Sequence, residues 1–142
     1  GTTGLNELAT IMRIPELLVD FTLFNTLPDR FNEAYNPIIL PKKLYSKALG
    51  RHLSYKEIFE KKLFDVNIIS EIPNDFQLID NSEDEILEAT KEMIELVEHK
   101  LDLNAERIKQ NNFWNLHAKF YGAKEEMIIS PNFFKKNNKL FI

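Results

Sequence analysis

The chain has 142 residues, of which 44% are hydrophobic and 28% charged, which is typical of one globular domain that can bury a core. Its formal net charge of -4 argues against the phosphate-neutralising surface of a nucleic-acid-binding protein. The lack of cysteine excludes disulfides and thiolate metal sites, and no uncharged apolar stretch is long enough to cross a bilayer.

The start of the chain predicts the second half of a βαβ unit. Four apolar residues have the i, i+3, i+4, i+7 spacing of a short amphipathic helix: Leu5, Leu8, Ala9 and Met12. Pro15 ends this helix, because the residue before proline is disfavoured in the helical region. The apolar run Leu17–Phe21 then predicts a buried strand. Since the chain opens on a glycine turn with no strand before it, we expect a longer protein with a preceding strand and domain.

The middle of the chain predicts short strands and a capped helix. Two prolines bound a short strand over residues 37–41, and residues 42–51 are expected to form a loop with a helical turn. Ser54 and Glu57 have the spacing of a capping box, which predicts a short helix after them. The partly alternating run at residues 76–80 predicts the last strand of the sheet.

Two longer helices are expected in the second half of the chain. Ser82, with an acidic residue three positions later, forms another capping box and predicts a helix to about His99. Asn104 is the expected cap of a further helix that runs to Tyr121, and Gly122 is its expected stop signal.

The glycine turn at the start of the chain is the strongest candidate for chemistry. Small residues ahead of a helix allow a ligand close to the backbone, and the unpaired N–H groups and dipole there favour an anion such as a diphosphate. Hydroxyl groups of threonine add donors, and the glutamate one turn later can accept hydrogen bonds from ribose or sugar hydroxyls. The residues predicted to bind the diphosphate and sugar of a donor are Gly1, Thr2, Thr3, Gly4, Leu5, Asn6 and Glu7. The alternative is an ordinary helix start that Thr3 caps.

Other polar residues favour structural interpretations. Lys42 and Lys43 can reach a phosphate or an anionic acceptor, but two solvated lysines after a proline are the simpler interpretation. His52 can act as an acid or base near a cleft, whereas a loop histidine without function is the simpler one. His99 and His117 lie 18 residues apart and lack the spacing of metal ligands.

Six runs along the chain form an ordered pattern. They are Gly-Thr-Thr-Gly-Leu-Asn-Glu-Leu-Ala at 1–9, Asn-Pro-Ile-Ile-Leu-Pro-Lys-Lys-Leu-Tyr-Ser at 36–46, Leu-Gly-Arg at 49–51, Ser-Tyr-Lys-Glu-Ile at 54–58, Leu-Ile-Asp-Asn-Ser-Glu-Asp-Glu-Ile at 78–86 and Ile-Ser-Pro-Asn-Phe-Phe-Lys-Lys-Asn at 129–137. This pattern covers nearly the whole chain and resembles bacterial putative glycosyltransferases of surface-carbohydrate biosynthesis. The first run is also similar, more distantly, to UDP-N-acetylglucosamine 2-epimerases, but at Asn6 it lacks the acidic neighbour of Glu7 that those enzymes have.

The resemblance implies an α/β fold, namely the C-terminal Rossmann-like half of a GT-B glycosyltransferase. Residues 1–121 would form the partial nucleotide-sugar-binding domain, and residues 122–142 an arm that packs on the missing N-terminal domain. It also implies a nucleoside-diphosphate sugar as donor substrate, with residues 1–7 at its diphosphate, and a carbohydrate or lipid-linked acceptor. No cofactor and no bound metal are implied. The implied location is the cytoplasm, including the inner face of the membrane.

The catalytic base in such enzymes usually comes from the N-terminal domain, so the catalytic residues stay unknown and this piece alone is expected to be inactive. Two alternatives remain open. One is half of a nucleotide-sugar 2-epimerase, and the other is a non-catalytic interaction domain in which the glycine turn is only a helix cap. A nucleic-acid partner and a transmembrane segment are not expected from the sequence.

Overall fold

The computed structural model of the chain describes residues 12, 14–26, 38–64, 72–122 and 127–142. Within these ranges, strands and helices together form a mixed α/β fold. The strands are β1 (Leu17–Phe21), β2 (Ile38–Pro41), β3 (Lys43–Ser46), β4 (Arg51–His52), β5 (Phe76–Ile79) and β6 (Ile128–Ile129). The α-helices are α1 (Tyr55–Glu60), α2 (Glu83–Val97), α3 (Leu103–Lys109), α4 (Asn111–Tyr121) and α5 (Pro131–Lys136). Two short 3-10 helices span Phe24–Thr26 and Asn138–Leu140.

A small parallel sheet forms the centre of the fold, in the strand order β1-β2-β6. The predicted strands β1 and β2 are confirmed, and both were recognisable as continuous apolar runs. The expected burial of β1 was wrong, because only Phe21 of that strand is buried and Val19 is 37% exposed. Ile38, Ile39 and Leu40 have no exposed surface, because neighbouring strands flank β2 and helix α2 packs on β1 and β2. The helix α2 buries Ala89 and Leu96 on its sheet-facing side.

A second sheet, antiparallel and in the order β4-β3-β5, follows from a sharp change of direction after β2. Only Lys42 separates β2 from β3, and β3 pairs with β5 so that Lys43 lies opposite Ile79. The expectation of a loop with a helical turn over residues 42–51 was wrong. Those residues form a hairpin, because the four-residue turn ends on Gly50, whose φ of +63° suits glycine.

The strand over Phe76–Ile79 is confirmed, but it is not the last strand of the central sheet. It belongs to the antiparallel sheet, and β6 follows it about fifty residues later as the third parallel strand. Two residues are too few for strand periodicity to be recognised in sequence, so β6 had no signal of its own.

The predicted helix starts are largely confirmed. Both capping boxes are present, with Ser54 and Ser82 each accepting a hydrogen bond from the backbone three residues later. The single helix expected from 104 to 121 is instead two helices that meet at Gln110, and Asp102 rather than Asn104 caps the first of them. Gly122 ends the second helix with a φ of +80°, as predicted.

Aromatic side chains dominate the main core. Phe24 is fully buried and lies near the centre of this group. Its ring centroid lies within 6.4 Å of the rings of Phe21, Tyr55, Phe59, Phe64, Phe113 and His117. Edge-to-face contacts prevail among these pairs, the geometry that the charge distribution of aromatic rings favours.

The C-terminal segment contributes to this same core. Met127, Ile129, Phe133 and Phe141 are each at most 4% exposed, and Phe141 stacks on Tyr55 with 4.7 Å between ring centroids. These side chains therefore pack against the chain's own helices and strands. The expected packing of residues 122–142 on a further domain stays a prediction.

The buried side chain of Gln110 hydrogen-bonds to the backbone at the outer edge of β6. The N–H of Ser130 donates to the carbonyl of Ile39 on the β2 side, while the backbone of Ile129 faces away from β2. Gln110, fully buried, donates from Nε2 to the Ile129 carbonyl at 2.7 Å and accepts from its N–H at 2.8 Å. The amide thus satisfies both backbone groups of an edge residue, as a neighbouring strand would.

We predict that Gln110→Leu lowers the free energy of unfolding by about 2–5 kcal/mol, because it leaves two buried backbone groups of Ile129 without partners. Urea denaturation measures this loss. Asn112→Ala, at an exposed position of the same helix, is the control and is expected to change stability by less than about 0.5 kcal/mol. Equal stability of the Gln110→Leu variant and the wild type would contradict the assignment of this side chain as an edge cap.

Candidate functional site

Polar and charged side chains gather at the carboxyl ends of β1 and β2. In open α/β sheets, ligands bind in the crevice outside this edge, because the loops there diverge and the helix N-termini face it. We refer to Asp20, Lys42, Asp80 and Asn81 as the carboxyl-edge cluster. Each comes from a strand end or from the short connection between two elements.

Asp20 lies within β1 at a local irregularity in its pairing with β2. The register between the two strands shifts between Val19 and Phe21, which leaves Asp20 as the extra residue of a bulge. Its φ is +55°, in the left-handed region that side-chain-bearing residues other than asparagine and aspartate rarely adopt. The strand therefore presents an aspartate in a special backbone conformation at its carboxyl end.

Asn81 holds Asp20 in place through two reciprocal hydrogen bonds. The Asp20 N–H donates to Asn81 Oδ1 at 2.9 Å, and Asp20 Oδ1 accepts from the Asn81 N–H at 2.8 Å. The Asn81 Nδ2 group donates to the carbonyl of Pro41 at 3.0 Å, and the residue is only 8% exposed. One buried amide thus joins the ends of β1 and β2 to the start of α2.

Lys42 is the cation of the cluster. Its backbone N–H donates to the Phe21 carbonyl at 3.0 Å, and its own carbonyl accepts from the buried hydroxyl of Tyr55 at 2.9 Å. Burial raises the pKa of that tyrosine well above its usual value, so it remains a neutral donor. The Lys42 ammonium contacts the carboxylate of Asp80 and lies 3.9 Å from Asp20 Oδ1.

Lys43 is committed to a different carboxylate. Its Nζ lies 2.7 Å from Glu85 Oε1, with both side chains about 15% exposed, and 5.7 Å from the centre of the Phe133 ring. Burial by itself raises the pKa of Glu85, but hydrogen bonds from Lys43 and from the Ser82 backbone outweigh it, so the net pKa is lowered. This pair joins the start of α2 to the antiparallel sheet.

A buried carboxylate lies at the end of the third parallel strand. Glu92 on α2 is 4% exposed and accepts from the Ser130 hydroxyl at 2.6 Å and from the Asn132 N–H at 2.7 Å. Burial, followed by the charges of Glu95 and Glu88, raises its pKa although both hydrogen bonds act in the opposite direction. Each oxygen has one donor, so the group serves to join α2 to the start of α5.

The chemistry of the carboxyl-edge cluster suits hydroxyl groups better than anions. Asp20 and Asp80 bring two negative charges against the single positive charge of Lys42, and Glu83 and Asp84 follow at once in α2. The N-terminus of that helix is occupied by its own Ser82 cap and acidic first turn, which makes it unfavourable for a phosphate.

The predicted binding residues Gly1, Thr2, Thr3, Gly4, Leu5, Asn6 and Glu7 lie outside the described residues. The interpretation of Lys42 and Lys43 as solvated was wrong, because both are paired with carboxylates and are at most 20% exposed on their side chains. The reason is the β3–β5 pairing, which sequence periodicity did not indicate.

The three histidines lie apart from the cluster. His52 is an exposed residue of β4 and packs edge-on against Tyr45. His99 is exposed just after α2. His117 is fully buried in the aromatic core, where its Nε2 lies 2.9 Å from the Phe24 carbonyl, which confirms its structural role.

Sequence reasoning missed Asp20, Asp80 and Asn81 as site residues. A signal existed for the first, since one charged residue interrupts the apolar run of β1 near its end. The other two follow β5 directly, but nothing in the sequence shows that β5 ends beside β2.

A concavity lies at the opposite, amino end of the parallel sheet. It has a volume of about 450 Å³ and is bordered by Pro15, by the end of α2 and by residues 101–104 and 107.

Across the described ranges, no three His, Asp or Glu side chains group together as a metal site would need. Of the helices that the structure describes, none is both long and apolar enough to cross a membrane.

We predict that Glu92→Gln is at least as stable as the wild type at pH 7, because the neutral amide avoids the cost of a buried charge. Its oxygen can accept from the Asn132 N–H, while its NH2 group donates to the Ser130 hydroxyl oxygen. The folded-state pKa of Glu92 is raised above 4.5, so the wild type gains relative stability as the pH falls from 7 towards 4.5. Urea denaturation at pH 7 and pH 5 measures this change.

Two further variants complete that test. Glu92→Ala leaves the Ser130 hydroxyl and the Asn132 N–H without an acceptor. It is expected to lower the free energy of unfolding by about 1–3 kcal/mol for each of these donors. Glu60→Gln, at a half-exposed carboxylate on α1, is the matched control for the exchange of a carboxylate by an amide. A stability difference between wild type and Glu92→Gln that is the same at both pH values would contradict the raised pKa.

Comparison of the chain with protein-family models gives no match to any family. No curated protein and no solved structure matches it either.

Proposed function

We propose that this chain is the nucleotide-sugar-binding portion of a glycosyltransferase of the GT-B type that acts in bacterial surface-polysaccharide biosynthesis. In this proposal the described α/β unit is the C-terminal, Rossmann-like half of the enzyme. The ligand is a nucleoside-diphosphate sugar, and it binds at the carboxyl edge of the parallel sheet.

The direction of α2 supports a Rossmann-like arrangement. Asn81, at its start, bonds to the carboxyl ends of β1 and β2, whereas Val97, at its end, borders the concavity beside Pro15 at the amino end of β1. The helix therefore runs antiparallel to the strands it covers. Crossover helices of doubly wound sheets have this direction, and their N-termini face the ligand.

The carboxyl-edge cluster is the observation that carries the proposal. It places a fixed carboxylate, an ammonium and an amide where α/β sheets bind their ligands. A helix over residues 5–12 that crosses into the parallel strand β1 would begin at this same edge. The glycine turn of residues 1–7 would then lie within reach of the cluster, with its backbone donors at the diphosphate.

The proposed reaction is displacement of a nucleoside diphosphate by an acceptor hydroxyl. The acceptor oxygen forms a bond to the anomeric carbon of the sugar, and the bond from that carbon to the diphosphate oxygen breaks. The bonding electrons leave with the diphosphate, whose charge the backbone donors of residues 1–5 would neutralise. The acceptor proton passes to a base that we assign to a second domain, since the catalytic base of GT-B enzymes usually comes from the N-terminal domain.

We predict that the isolated chain binds one of UDP, GDP and CMP in calorimetric titration at low salt, and that Gly4→Val weakens this binding. A valine side chain would block close approach of the phosphates to the backbone. Glu7→Ala is expected to weaken binding as well, through the loss of an acceptor for ligand hydroxyls. Thermal denaturation of both variants should match the wild type, which separates a binding defect from a folding defect.

Equal affinity of the wild type and both variants would contradict the assignment of the glycine turn as a site. Failure of all three nucleotides to bind the wild-type chain would favour the alternative of a non-catalytic interaction domain. Lys47→Ala, an exposed lysine on the β3–β4 turn, is a control that should leave nucleotide affinity unchanged if binding is local.

A further inference from the structure

We infer that Asp20 and Lys42 bind neighbouring hydroxyl groups of the ligand, either those of the ribose or those of the transferred sugar. This inference rests on the proposed function and adds which residues bind which part of the ligand. The glycine turn would hold the phosphates, and these two side chains would hold hydroxyls.

The first observation is the preorganisation of the Asp20 carboxylate. Its backbone adopts a left-handed conformation at a bulge, and Asn81 fixes both the backbone N–H and one side-chain oxygen. An uncommon backbone conformation that the surroundings hold in place is often found at functional sites. Here it aims a carboxylate outward from the carboxyl end of a parallel strand.

The second observation is the capacity for bonding that remains on this carboxylate. Oδ1 accepts from Asn81, while Oδ2 makes no hydrogen bond to any part of the chain that the structure describes. The side chain is 36% exposed, so this oxygen can meet a ligand. An ionised carboxylate only accepts hydrogen bonds, and therefore it selects ligand groups that donate.

The third observation is the gap between Asp20 and Lys42. The Lys42 Nζ atom is 3.9 Å from Asp20 Oδ1, which is too long for a direct hydrogen bond. A polar pair at such a separation is commonly bridged by a group that both donates and accepts, such as water. Sugar hydroxyls have the same two capacities, so that one hydroxyl can accept from the ammonium while its neighbour donates to Oδ2 of the carboxylate.

The charge of the surroundings argues against a phosphate at Lys42. Asp80 contacts its ammonium, Asp20 lies beside it, and the acidic first turn of α2 follows Asn81. A neutral hydroxyl avoids the repulsion that a phosphate would meet from these carboxylates. Lys42 is thereby assigned to hydroxyl binding, and Lys43 to its partly buried pair with Glu85.

Asp20→Asn is the variant that tests this inference. Asparagine keeps the Oδ1 acceptor for Asn81 and tolerates the left-handed backbone, so the fold should persist with an unchanged melting temperature. It replaces Oδ2 by an amide that donates rather than accepts. We expect Asp20→Asn to weaken binding by about tenfold or more for a ligand whose hydroxyls reach this site.

The ligands of the titration distinguish the two sources of hydroxyls. Whichever of UDP and GDP binds the wild-type chain is compared with its 2′,3′-dideoxy form and with its hexose conjugate, UDP-glucose or GDP-mannose. If the ribose is the source, Asp20→Asn lowers the affinity for the nucleoside diphosphate but not the affinity for its dideoxy form. If the sugar is the source, Asp20→Asn leaves the affinity for the nucleoside diphosphate unchanged and lowers the affinity for the hexose conjugate.

Two results would overturn the inference while the proposed function stands. In the first, Asp20→Asn binds every ligand with wild-type affinity. In the second, it loses the same amount of affinity for the dideoxy ligand as for the ligands that carry hydroxyls. Asp80→Asn supplies a further check, since it frees Lys42 from its carboxylate partner. A gain in nucleoside-diphosphate affinity on Asp80→Asn would show that Lys42 binds phosphate. Failure of the wild type to bind any of UDP, GDP and CMP would overturn both proposals.

Discussion

The arrangement of the carboxyl edge depends on the buried side chain of Asn81. Its backbone and amide bond to Asp20 at the end of β1 and to the Pro41 carbonyl at the end of β2, and the residue also immediately precedes the cap of α2. Three elements that are distant in sequence therefore meet at one residue. Because buried polar groups need partners, this junction admits few alternative arrangements, and it determines where Asp20 and Lys42 lie.

Local signals predicted much of the fold. The apolar runs of β1 and β2 and the capping boxes at Ser54 and Ser82 were recognisable, since each depends on residues within one turn or strand. Features that depend on distant pairing were not. The hairpin after β2 and the two-residue strand β6 form because β5 and Gln110 supply partners for them, and spacing within a short window cannot indicate either partner.

The same distinction explains what could be predicted about the site. Residues 1–7 were identified from a local pattern, whereas the cluster of Asp20, Lys42 and Asp80 exists only because β3 pairs with β5 and returns the chain to the end of β2. The cluster in turn changes the interpretation of the lysine pair. Lys42 and Lys43 follow one another in sequence, yet one faces the carboxyl edge and the other a partly buried glutamate. A division of roles between phosphate and hydroxyl binding follows from these positions and from the excess of negative charge around Lys42.

The most direct test of the account is to locate the bound ligand on the protein. Amide NMR of the isotopically labelled chain, titrated with UDP and with GDP, reports on the two ends of the parallel sheet in one experiment. The account predicts that the largest shift changes fall at the carboxyl edge, at Asp20, Lys42 and Asn81, with little change at residues 101–104 beside the concavity of the amino end. Changes confined to the amino end, or none with either nucleotide, would contradict a nucleotide-sugar site at the carboxyl edge.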